Sequence, residues 1–156
     1  MTDVIVTGPI SSGTRMLTKV VQSWGVDAEH RSMPHWDYFW STMDPDFIAN
    51  RYVVITRRPD ISIRSAYKQG HGNPALGGVW AKYDHRLTLH ELHQWWKSAM
   101  LRLSVLPNAY WTSYEAWVAA PQVQAYALSD WLGINETDLP FTIRDENEKW
   151  LAELPF

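Results

Sequence analysis

Two apolar runs, each leading into a turn rich in hydrogen-bond donors, constrain this fold more than anything else in the chain. Val4-Ile5-Val6-Thr7 runs into Gly8-Pro9-Ile10-Ser11-Ser12-Gly13-Thr14-Arg15, and Tyr52-Val53-Val54-Ile55-Thr56 runs into Arg57-Arg58-Pro59-Asp60-Ile61-Ser62-Ile63-Arg64-Ser65. Each reads as strand, turn and helix. A run that is apolar throughout suits a parallel strand covered on both faces. Each turn falls at the carboxyl end of its strand, where open α/β sheets bind ligands. Taken together, the two turns point to a ligand with two separate anionic groups.

The same alternation continues along the chain. Residues 14–24 form a helical pattern with an apolar stripe of Met16, Leu17, Val20, Val21 and Trp24, stopped by Gly25. A short strand is expected within 26–33, and 35–46 reads as a long aromatic loop or irregular helix. A helix over 61–68 is expected to be capped by Asp60. The glycines of 70–78 suggest a mobile loop. Thr88-Leu89-His90-Glu91 is a capping box for a long helix with the stripe Leu89, Leu92, Trp96, Ala99, Met100 and Leu103. A further strand covers 109–112 and a last helix 122–132, closed by Gly133. Strand alternating with helix predicts a three-layer α/β sandwich with a mainly parallel sheet, 4–7 at its centre beside 52–56.

Composition narrows the class. At 156 residues, a single domain over 1–156 is the simplest reading. Apolar content of 46% against 20% charged residues excludes a disordered chain. A net charge of −3 argues against a nucleic-acid partner. No apolar run is long enough to span a bilayer, so no membrane partner is expected. No signal peptide is recognisable, which makes a cytoplasmic location the expectation. With no cysteine, disulfides, thiol catalysis and thiolate metal sites are excluded. Ten tryptophans serve either as core fillers or as an aromatic pocket or oligomer interface, a homodimer being the simplest such assembly.

Gly8 and Gly13 have the spacing of a P-loop, whose backbone N–H groups converge on an anion beside a helix N-terminus. The Lys that usually comes next and reaches nucleoside phosphates is absent: Thr14 and Arg15 stand there. The second turn places Arg57 at a strand end and Ser65 in the following helix, where a guanidinium and a hydroxyl can share one phosphate. Taken alone, they would be a surface arginine and an ordinary helix serine.

The paired pattern resembles the sulfotransferase family, which uses 3′-phosphoadenosine 5′-phosphosulfate (PAPS) and releases adenosine 3′,5′-bisphosphate (PAP). Ser12-Gly13-Thr14 matches the family's core for the 5′-phosphosulfate. Arg57, Pro59 and Ser65, eight residues after Arg57, match its 3′-phosphate grip. Tyr114-Glu115 and the helix end Trp131-Leu132-Gly133-Ile134 supply a third match, so the resemblance covers about residues 4–134. It implies a P-loop NTPase-like, sulfotransferase-like fold, and sulfuryl transfer from PAPS to a hydroxyl or amine acceptor. It also implies a nucleotide site of Ser11, Ser12, Gly13, Thr14, Arg15, Arg57 and Ser65, with no metal. Many members carry Lys or Arg just before the Ser-Gly-Thr core. Here Ser11 holds that position and Arg15 is the candidate substitute cation. The family's C-terminal glycine- and lysine-rich closing segment has no counterpart, and only Arg144, Lys149 and Trp150 offer basic or stacking groups there.

His35 is the candidate catalytic base that the resemblance implies, because it follows the expected second strand and precedes Arg57 by a spacing like that of the family's base, with Asp37 and His71 next; it is otherwise a loop histidine. Trp36, Tyr38, Phe39 and Trp40 either line an acceptor pocket or cover the sheet edge. His85, His90 and His93 invite a metal reading, but no carboxylate stands at a metalloenzyme spacing, and surface or capping roles are expected. Two other functions stand beside sulfuryl transfer: a P-loop kinase or NTPase, and a catalytically silent nucleotide-binding protein of the same fold.

Overall fold

The computed structural model describes residues 2–32 and 48–151. Its sheet has four strands, β1 (Val4–Gly8), β2 (Ala28–Ser32), β3 (Arg51–Thr56) and β4 (Ala109–Ser113), in the order β2-β1-β3-β4 and all parallel. The two most apolar runs are therefore the two interior strands. Val6 of β1 stands between His30 of β2 and Val53 of β3.

Helices cover both faces, because successive strand side chains point in opposite directions. Val4, Val6, Val53 and Ile55 pack with Leu17, Val20 and Val21 of α1 (Thr14–Ser23). The same cluster takes in Trp117 of the short helix α4 (Tyr114–Ala119) and Leu128 of α5 (Pro121–Leu132). Ile5, Tyr52 and Val54 face the other way, onto Ala99 and Leu103 of α3 (Leu89–Leu103). Against α3 leans α2 (Pro59–Lys68), through Ile63 and Leu92. Each buried aliphatic side chain is worth roughly 1.5–3 kcal/mol, so this two-sided core makes the strand order hard to rearrange. The result is the expected three-layer α/β sandwich.

The capping box is complete: the Thr88 hydroxyl accepts from Glu91 N–H at 3.2 Å, and Glu91 Oε2 accepts from Thr88 N–H at 2.8 Å. Asp60 is not the cap expected of it. Pro59 opens α2 one turn position earlier, with Arg58 as the capping residue and no side-chain cap bond. Asp60 instead pairs with Arg58 at 2.6 Å. Proline suits a first helical position because its missing N–H would be unpaired there anyway. Segment 70–78 is a bonded run of turns with a 3₁₀ helix, Pro74–Leu76. Its glycines serve positive φ and close packing, as at Gly72, where a Cβ would stand 2.7 Å from Leu87. Residues 35–46, and with them His35, Trp36, Asp37, Tyr38, Phe39 and Trp40, lie outside the described residues.

Among the described residues no helix is long and apolar enough to cross a membrane.

Candidate functional site

The first loop is shaped by two tight approaches. A Cβ on Gly8 would collide with the Ile55 carbonyl oxygen, so only glycine lets β1 leave the sheet this close to β3. Ser11 and Gly13 both take positive φ, 56° and 96°. Gly13 is the N-cap of α1 and makes no side-chain cap bond. The first-turn amides of α1 have no intrahelical acceptor, and the helix dipole places partial positive charge there. That combination of free N–H groups and dipole is an anion receptor. The buried hydroxyls of Ser11 and Ser12 have no partner among the described residues either. A hydrogen bond from the Ser62 hydroxyl to the Ile10 carbonyl ties this loop to α2.

Arg57 directly follows β3 and is 7% exposed. Its Nε donates to Asn147 Oδ1 at 2.6 Å, its Nη1 donates to the Ser11 carbonyl at 3.2 Å, and the guanidinium lies 4.5 Å from the centre of the Tyr114 ring. Nη2 is buried without a partner among the described residues. Burial lowers the Arg57 pKa, opposed by Tyr114, Glu115, Glu146 and Asp145; an arginine nonetheless keeps its charge in proteins. A buried guanidinium N–H with no acceptor is costly, and a bound anion would satisfy it. Ser65, also buried, accepts from Gln69 Nε2 at 3.0 Å and keeps its own hydroxyl proton to donate.

Both loops open on one cleft of about 590 Å³. Ser11, Gly13, Thr14, Arg15, Arg57, Ser65 and His71 line it, which brings together six of the seven expected nucleotide residues and the second of the alternative bases. Ser12 is buried within the loop and is not on the cleft wall. Among the described residues the lining carries four permanent cations, Arg15, Arg57, Arg144 and Lys149, against one carboxylate, Glu146. In a chain of net charge −3 that local excess is complementary to an anionic ligand. Glu146 is in turn held by Lys149 at 2.7 Å, which lowers its pKa.

Two residues escaped sequence reasoning. His30 of β2 lines the cleft, and burial, then Arg15 and Arg31, lower its pKa. Period-two alternation puts His30 on the same face as buried Ala28, which is a signal that could have found it. The second is Asn147, which no local pattern marks. The C-terminal segment 141–150 forms a further wall of the cleft, and Arg144, Lys149 and Trp150, the groups the sequence offered there, all reach it. Tyr114 anchors that wall: its hydroxyl donates to the Arg144 carbonyl at 2.7 Å and accepts from Glu146 N–H at 3.0 Å.

The histidines considered for metal binding are engaged otherwise. His85 bridges Asp84 at 2.7 Å and Glu91 at 2.9 Å on the surface, and these carboxylates raise its pKa. Among the described residues no group of three or more His, Cys, Asp or Glu could hold a metal ion.

No family model and no curated protein matches the chain. Among solved structures, the mouse sulfotransferase SULT7A1, crystallised in complex with PAP, superposes over 97% of this chain with a TM-score of 0.58 and 13% sequence identity. The chain covers 63% of the length of that protein. At this identity the likeness is one of architecture: this chain has the P-loop-like α/β fold of a sulfotransferase.

Proposed function

We propose that the cleft binds PAPS and that the chain moves its sulfuryl group to a hydroxyl or amine acceptor. One observation carries this reading: the unpartnered Nη2 of buried Arg57 and the uncapped N-terminus of α1 open on the same cleft. A ligand with two anionic groups answers both, and PAPS has a 3′-phosphate and a 5′-phosphosulfate. The fold likeness to a sulfotransferase crystallised with PAP supports the same choice.

The α1 amides from Gly13 onward and the hydroxyl of Thr14 hold the 5′ group, while Arg57 and Ser65 hold the 3′-phosphate. PAPS, when bound, supplies a sulfuryl group whose bond to the 5′-phosphate oxygen breaks as a bond to the acceptor oxygen or nitrogen forms. The protein's part is to fix the partners in line, neutralise the charge developing on the leaving oxygen, and take the acceptor's proton. Arg15, exposed on the cleft rim, is the cation for the leaving oxygen. His35 is the base, with Asp37 and cleft-lining His71 as alternatives. A thermal-shift series with PAP, adenosine 5′-phosphate, ATP and ATP–Mg²⁺ tests the site, since a ligand of the native state stabilises it by mass action. PAP should stabilise most, without magnesium. Equal shifts for PAP and adenosine 5′-phosphate would refute the two-anion assignment.

One observation favours a nucleotide binder without turnover. Ser11, where many family members have a cation, has a positive φ and a buried hydroxyl. Tight PAP binding with no PAP released from PAPS, on any phenol, alcohol, amine or sugar, would decide for that second reading.

A further inference from the structure

Asn147 is 6% exposed and spends both ends of its amide at the Arg57 guanidinium and behind it. Its Oδ1 accepts from Arg57 Nε at 2.6 Å, and its Nδ2 donates to Glu115 Oε1 at 3.0 Å. The same Glu115 oxygen accepts from Arg58 N–H at 3.1 Å, so the chain of bonds closes on the residue next to Arg57. Asn147 is also fixed by its own backbone. Its N–H donates to Asp145 Oδ1 at 2.8 Å, and its carbonyl accepts from Trp150 and Leu151 N–H at 2.9 and 3.0 Å, opening the short helix α6 (Glu148–Leu151).

A guanidinium is a planar fork, so its free N–H groups point wherever its other contacts leave them. With Nε on Asn147, Nη1 on the Ser11 carbonyl and one face against Tyr114, the direction of Nη2 is determined. We infer that Asn147 is the positioning residue that aims Arg57 Nη2 at the ligand's second anionic group. The choice of an amide matters. A carboxylate at this position would pair with Arg57 and compete with the ligand, whereas a neutral oxygen orients the cation and leaves its charge unspent. The nearest carboxylate in this bond chain, Glu115, is kept one link away and acts through Asn147. The C-terminal wall thus contributes to affinity through Arg57 as well as by covering the cleft.

This inference rests on the proposed nucleotide reading, and the test separates the two. Dissociation constants for PAP and for adenosine 5′-phosphate are measured by calorimetry on the full chain and on Arg57→Ala, Asn147→Ala and Asn147→Asp, with circular dichroism reporting the fold. Wild type should prefer PAP, and Arg57→Ala should abolish the preference. Asn147→Ala should weaken PAP binding at least about tenfold, as expected for one charge-assisted hydrogen bond, and leave adenosine 5′-phosphate within about threefold. Asn147→Asp keeps an oxygen on Nε and should fold, yet should also lose PAP preference, because it neutralises the guanidinium; it decides the matter where Asn147→Ala does not fold. Wild-type PAP preference in both Asn147 variants overturns the inference and leaves the nucleotide site standing. A wild type with no PAP preference overturns the nucleotide reading instead. Binding of inorganic sulfate then tests the aim of Arg57, since Asn147→Ala must still weaken it, and absent or unchanged sulfate binding overturns the inference as well.

Discussion

A methyl group on Gly13 would stand 2.9 Å from Cδ2 of Tyr114. Gly13 also has φ 96°, a conformation that L side chains avoid. Gly25 has a similar positive φ, 79°, but open space around it. Gly25→Ala should therefore cost only the left-handed backbone penalty, about 1–2 kcal/mol. Gly13→Ala should cost that plus about 1–3 kcal/mol of overpacking and should abolish PAP binding, because relief of the clash moves the α1 N-terminus. Urea unfolding of the two variants measures the difference. Equal losses would mean that Tyr114 yields freely and does not set the loop's shape.

The central strands, their parallel pairing and the two donor-rich turns were legible because each is signalled by adjacent residues: Val4 to Thr7 with the turn after it, and Tyr52 to Thr56 with its own. Thr88 and Glu91 were legible as a capping box for the same reason. Asp60 was misread because capping residues and first-turn acids share a composition, and Pro59 shifts the helix start. The contacts that support the site were not legible. Asn147 meets Arg57 across 90 positions, and Tyr114 meets Arg144 and Glu146 across 30 and 32. Such contacts arise from how the C-terminal segment is laid back over the sheet end, which no local period records. His30 was overlooked because a polar residue of an edge strand reads as exposed until α1 brings Arg15 beside it.

Trp117 is fully buried in the core between the sheet and α5, and its indole N–H has no acceptor among the described residues. Trp117→Ala should cost about 3–5 kcal/mol through lost packing and a cavity. Trp117→Phe removes the orphaned N–H together with some volume, so the two effects offset and the loss should be under about 2 kcal/mol. Chemical denaturation of both variants is the check. A Phe variant as damaged as the Ala variant would mean the N–H is satisfied by a buried water.

His30 gives the fold a predictable pH dependence. Burial, reinforced by Arg15 and Arg31, sets its folded pKa below the unfolded value of about 6.5. Between those two values the unfolded chain binds a proton that the folded chain refuses, so stability falls as pH drops below about 6.5. His85 acts with the opposite sign: Glu91 and Asp84 raise its pKa, so its contribution is present at low pH and lost as pH rises through the folded value. Unfolding of His30→Gln and the parent at pH 5.5 and 7.5, each about one unit from that value, isolates the first effect. The variant should lose less stability on acidification. An identical pH slope would show that His30 titrates alike in both states.

The catalytic assignment makes the most demanding prediction. Arg15 is exposed on the rim of the cleft and is the cation nearest in sequence to the Ser-Gly-Thr core. Removing one donor to a developing charge typically costs ~10²–10³ in rate, and removing a general base ~10²–10⁴. Arg15→Ala should thus cut PAP release from PAPS at least about a hundredfold, with PAP affinity nearly unchanged. His35→Ala should do the same if it is the base. Full activity in that variant would move the role to Asp37 or to His71, whose ring sits edge-on to Trp80 at 5.5 Å on the cleft wall. Ser11→Lys is the converse experiment. It places a cation where many sulfotransferases have one, and a gain in turnover would show that Arg15 is an imperfect substitute. Wild-type turnover in Arg15→Ala, over a panel of phenols, alcohols, amines and sugars, would remove Arg15 from the chemistry and leave it to steer the anion in.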